Sequence, residues 1–212
     1  MNNEFTSNKS MTGWEKLDSM TDDQIDFSDC PEITPEMAKN AKTSQNKSLT
    51  TSEALDWFDS LDVISLDQMW GTWQGWEINT NHRFNGLLGI TNWYGKQFVD
   101  SETVHPLLFS DSQGNLFKVA PSIYSIKIFL NLPILKNKIF HPLLKNSMLL
   151  FKTESSQARL RMMEYRGKVS ATMIYDYLPI NDSFRKIDRD TILGIMDFKI
   201  IPEPFFFILE RR

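Results

Sequence analysis

Trp70-Gly71-Thr72-Trp73-Gln74-Gly75-Trp76-Glu77 sets three tryptophans and two glycines among small polar residues. That is the two-residue period of a strand, with close neighbours at the glycines. It predicts the first strand of a β-barrel or strongly curved sheet, over whose indoles later apolar strands must close. The sequence around it supplies those strands. Trp93 to Val99 again sets a glycine between aromatics, and Val104 to Ser110 and Asn115 to Ala120 flank Asp111-Ser112-Gln113-Gly114, a hairpin turn. Ala158 to Tyr165 and Lys168 to Tyr177 are joined by the two-residue turn Arg166-Gly167, with Tyr165 opposite Lys168. Strands over about 183–187 and 191–199 follow, and Phe205 to Glu210 is the last, after a bend between Pro202 and Pro204. Roughly eight to ten short antiparallel strands suit a barrel or sandwich.

Helices have a smaller place. Thr50-Thr51-Ser52-Glu53 matches a capping box, and Ala54, Leu55, Trp57, Phe58 and Leu61 then share one helical face, so a short helix precedes the first strand. Asn79 to Gly86 reads as turn and loop. From Pro121 to Lys152 an apolar pattern is interrupted by Pro133 and Pro142, which predicts short helices or a cover loop.

The 212 residues have room for one core and an extension. Residues 1–50 carry nine acids and five bases and so hold the whole net charge of −4. Their polar composition predicts a disordered tail. A single cysteine, Cys30, excludes an intrachain disulfide, and the N-terminus lacks the apolar core of a signal peptide, so a cytoplasmic address is expected. No run is long enough for a membrane-spanning helix.

Several stretches resemble known families. Gly71-Thr72-Trp73-Gln74-Gly75, Trp93-Tyr94-Gly95-Lys96, Val104-His105-Pro106-Leu107, Ala158 to Gly167, Ser170 to Asp176, Leu178 to Asp182, Met196-Asp197 and Pro204 to Phe207 resemble the GXWXG family and the domain of unknown function that usually follows it. The resemblance implies a GXWXG segment over 51–150, forming the first half of a barrel with its helical cover. A companion segment over 151–212 would form the second half. By analogy the Gly-x-Trp start is similar to that of the calycins (lipocalins, fatty-acid-binding proteins, nitrobindins), whose tryptophan sits at the closed base of an antiparallel barrel; the family name implies no activity. Residues 14–37 resemble the leader of BrnA-like bacterial ribbon-helix-helix antitoxins, which implies a toxin partner for the tail.

The function expected is binding of a small hydrophobic or amphiphilic ligand, anionic in one version, in a barrel cavity. Trp73, Trp76, Trp93 and Tyr94 are the candidate apolar walls, with at least one of Trp70, Trp76 and Trp93 reaching a pocket. Arg159 and Arg161, two apart on one strand, are candidates for the polar end, because paired guanidinium groups grip anions. The alternative is a cofactor-independent isomerase, cyclase or hydrolase. Its candidates are Glu164, a carboxylate among apolar neighbours, with Tyr175 or His82. No metal or cofactor is expected: no carboxylate or thiolate stands at ligand spacing from His82 or His105, and the last histidine, His141, comes early for a haem ligand. Gln113 to Thr153 has no acid but six lysines, which predicts a cover with weak attraction to a membrane surface over 121–152. The isoelectric point near 5.4 argues against nucleic acid.

Overall fold

The computed structural model describes residues 48–123, 126 and 141–212. The antitoxin-like leader at 14–37 and most of the tail lie outside the described residues, as does much of the cover.

The strands are β1 (Asp62–Val63), β2 (Gly71–Glu77), β3 (Trp93–Phe98), β4 (Val104–Ser110), β5 (Leu116–Lys118), β6 (Ala158–Tyr165), β7 (Lys168–Tyr175), β8 (Ile180–Lys186), β9 (Thr191–Phe198) and β10 (Ile201–Arg211). All pairings are antiparallel, in the order β8-β7-β6-β4-β3-β2-β10-β9, and β9 returns to β8. Eight strands therefore close a barrel and leave it no free edge. β5 extends β4 as a hairpin, and β1 lies along β8.

The turn chemistry sets the register. Arg166 and Gly167 both have positive φ (51° and 75°), the conformation that matches strand twist in a two-residue hairpin, and Tyr165 pairs with Lys168 as expected. Leu160 and Met173 then face the core, while Arg159 stands outside. The two sides that join the early strands to the late ones differ. β2 pairs with β10 at five positions, from Trp73 opposite Arg211 to Glu77 opposite Phe207. β4 and β6 meet in register only at Val104 and Ala158. The Ser156 hydroxyl supports this thin seam by accepting from the Val104 N–H at 3.1 Å.

The opening strand makes the closed end. Trp73 is fully buried, donates its indole N–H to the Met69 carbonyl at 2.7 Å, and carries the Arg211 guanidinium 4.2 Å from its ring centre. The expected helix is α1 (Thr51–Ser60). Thr50 and Glu53 exchange their side-chain and backbone hydrogen bonds, and Ala54, Trp57 and Phe58 are buried. The Lys168 ammonium donates to the Asp59 and Leu61 carbonyls at 2.6 and 3.0 Å, satisfying the C-terminal end of α1. Among the elements described, two more helices are short: α2 (Leu87–Ile90), beside a stretch read from sequence as turn and loop, and α3 (His141–Ser147), which runs into a tighter turn at Met148–Phe151. Among the described residues no helix is long and apolar enough to cross a membrane.

Candidate functional site

A partly open cavity of about 160 Å³ lies in the barrel, and Trp73 does not line it. Its walls are apolar: Trp93 from β3, Leu107 and Phe109 from β4, Phe205 and Phe207 from β10. Leu87 and Leu88 of α2, the segment Val119–Ser122, and Met148 and Phe151 border it from outside the barrel.

Into this apolar space fold two charges. Lys96 Nζ lies 2.8 Å from Asp182 Oδ2, with the two side chains 3% and 1% exposed. The ammonium also donates to the Pro106 carbonyl at 3.3 Å and lies 4.9 Å from the Phe207 ring centre, with Trp93 and Tyr175 at 5.7 and 5.8 Å. Coulomb attraction at low dielectric and the aromatic faces offset the desolvation of the cation. The other carboxylate oxygen, Asp182 Oδ1, is buried with no hydrogen-bond partner among the described residues, as is the Trp93 indole nitrogen. Burial pushes Asp182 above the usual carboxylate range, and Lys96 opposes the shift. Tyr175, which borders the cavity, is raised well above the usual phenol range by burial and then by the Asp182 charge.

Local backbone explains how Lys96 gets inside. Trp93 and Lys96 are three apart and would face opposite ways on a regular strand. The β3–β4 register shifts on both sides of Gly95, whose φ is 152°, so both side chains border the cavity. A Cβ on Gly95 would run into the Trp73 carbonyl oxygen.

Comparison with known proteins places this architecture. Residues 56–114 match the model of the GXWXG proteins, and residues 156–211 match a domain of unknown function, DUF4334. The two segments are similar to these families, and neither match spans half of the chain. A crystal structure of a protein from Thermomonospora curvata superposes with a TM-score of 0.61 at 28% identity, covering 84% of this chain and 98% of that one. No curated protein matches the chain. Both matched segments put strands into one closed sheet. Each supplies one member of the buried pair, Lys96 from the GXWXG segment and Asp182 from DUF4334.

The residues singled out from sequence are dispersed. Trp93 and Tyr175 border the cavity. Trp73 packs in the closed end, while Trp76 and Tyr94 are half-buried and do not border the cavity. Arg159 pairs with Asp176 and Arg161 with Glu102, both at 2.7 Å on the outer face, because Leu160 and Met173 take the inner one. The polar end of the cavity is therefore Lys96 and Asp182 rather than the arginine pair. Glu164 is exposed near the tip of the β6–β7 hairpin, beyond the point where β6 has a second neighbour. His82 is buried between Phe84 and Phe205 but stands apart from Glu164 and Tyr175 in its contacts. Among the described residues no group of three or more His, Cys, Asp or Glu could hold a metal.

Lys96 and Asp182 carried a signal that could have found them. Asp182 alternates with Ile180 and Phe184, and Lys96 with Phe98, so each charge falls on an apolar strand face. A charge in that setting needs a partner.

Proposed function

We propose that this barrel binds a small, mainly apolar molecule with a polar end. The apolar part lies among Trp93, Phe109, Phe205 and Phe207, and the polar end meets Lys96 and Asp182. One observation carries this reading: a buried ion pair with an unpartnered oxygen borders an otherwise apolar cavity of about 160 Å³. A pair kept only for stability is a poor bargain, since well-packed apolar residues often serve as well or better. A ligand that completes the hydrogen bonding gives the pair a purpose.

Native mass spectrometry of the gently purified full chain tests this. An added mass, released by organic solvent, is the expected result. Repeated recovery of empty protein, together with no heat of binding for small apolar probes, would overturn it.

A second reading, acid–base catalysis on the bound molecule, has its own support in the Asp182 carboxylate beside Tyr175. It is cofactor-independent, as in the isomerase, cyclase or hydrolase alternative, but moves the general base from Glu164 to Asp182. Conversion of a co-purified ligand by the wild type and its persistence unchanged in Asp182→Asn would separate catalysis from binding.

A further inference from the structure

The polar end of the cavity has a definite hydrogen-bonding demand. Lys96 and Asp182 cancel each other's charge, so the site presents a dipole and no net charge. The ammonium donates to Asp182 Oδ2 and the Pro106 carbonyl, and turns toward the Phe207 ring. Its three donor directions are thus taken up within the protein. The carboxylate is only half used. Among the described residues Asp182 Oδ1 is buried and lacks a donor, and the Trp93 indole N–H, from across the barrel on β3, lacks an acceptor.

Four ligand chemistries can be set against that demand. A carboxylate would bring a second anion beside Asp182 with one ammonium between them. An alkylammonium would put two cations on one carboxylate. Either leaves a net charge in an apolar cavity, where charge is costly. A hydrocarbon leaves both protein atoms unpaired. A hydroxyl group adds no charge, donates one hydrogen bond and has lone pairs to accept another.

Resting on the reading of this cavity as a ligand site, we infer that the ligand is an uncharged alcohol whose O–H donates to Asp182 Oδ1. The part of its apolar body held in the cavity is about the size of one substituted six-membered ring. The size follows from the cavity volume of about 160 Å³; an engineered apolar cavity of about 150 Å³ in another protein holds benzene. This chemistry departs from the anionic ligand that the arginine pair suggested, because those arginines are paired on the outer face.

Four probes on one skeleton test it: benzyl alcohol, toluene, benzoate and benzylammonium, titrated calorimetrically into the full chain at neutral pH. Benzyl alcohol is expected to bind roughly ten- to a hundredfold more tightly than toluene, the value of a hydrogen bond to a charged acceptor. Benzoate and benzylammonium are expected to bind more weakly than the alcohol. Benzoate or benzylammonium binding as tightly as the alcohol overturns the inference but leaves the cavity a ligand site, and so does toluene matching the alcohol. Failure of all four to bind overturns the ligand site itself and the inference with it. In the double variant Lys96→Met/Asp182→Leu the preference for benzyl alcohol over toluene should shrink to about twofold or less as the charged acceptor is lost. Toluene should still bind there, and a preference kept in full overturns the inference. Where that variant does not fold, the wild-type ranking decides.

Discussion

Lys96 and Asp182 are each expensive alone and inexpensive together, and substitutions expose the asymmetry. Lys96→Met leaves an unpaired carboxylate in the barrel and is expected to cost about 3–5 kcal/mol by urea denaturation. Lys96→Met/Asp182→Leu should recover most of that, because the cavity is then apolar throughout; a double variant as unstable as the single one would refute this account. His82 gives a pH signature. Its Nδ1 accepts from the Phe84 N–H at 3.1 Å and its Nε2 lies 3.1 Å from the Glu203 carbonyl, so the ring is neutral with its proton on Nε2. Burial lowers its pKa, Arg83 adds to the shift, and Glu203 opposes it. The unfolded chain therefore takes up this proton first. The stability contributed by neutral His82 is full above about pH 6.5 and is lost as pH falls below that value toward the folded pKa. His105, lowered by burial and then by Lys118, acts in the same direction. The melting temperature should fall between pH 7.5 and 5.5, and His82→Gln should weaken the fall without abolishing it. None of these partnerships could be read locally: Lys96 and Asp182 come from β3 and β8, and His82 meets Glu203 across 121 residues. Only closure of the sheet brings them together.

At the scale of elements, strands were the most legible part of the chain. Val104–Ser110 and Ala158–Tyr165 have the expected bounds, because apolar alternation and turn residues both mark them. α2 was missed: four residues, two of them leucine, are too few to show a helical period. The close contacts foreseen at the opening glycines are present. At Gly75 a Cβ would overlap the Trp93 ring and come within 2.8 Å of Leu209 Cδ2, so β2 can carry no side chain where it meets the indole. Gly75→Ala is expected to destabilise by about 1–3 kcal/mol. Because the displaced indole has the cavity behind it, the variant should also lose binding of any cavity probe. Gly75→Ala with unchanged stability and unchanged probe binding would contradict the packing described.

At the scale of the molecule, two separately matched segments make one barrel. Leu209 opposite Gly75 and Val104 opposite Ala158 are pairings between them, and Lys96 with Asp182 joins them through the interior. Neither segment can close a sheet without the other. Calorimetry of the full chain should therefore show one cooperative transition, with the calorimetric and van't Hoff enthalpies equal; two resolved transitions would show that the segments fold separately. The barrel was legible because alternation and turns recur along the whole chain. The charged lining of its cavity was not, because the strand faces that meet there are set by the Gly95 irregularity and by ring closure. The two matched stretches stop at residue 114 and resume at residue 156. Among the described residues between them, Val119–Ser122, Met148 and Phe151 border the cavity mouth. A change there leaves the eight ring strands and the Lys96–Asp182 pair untouched. Substitutions at Val119, Met148 or Phe151 should therefore reshape that rim alone, with every pairing of the ring strands kept.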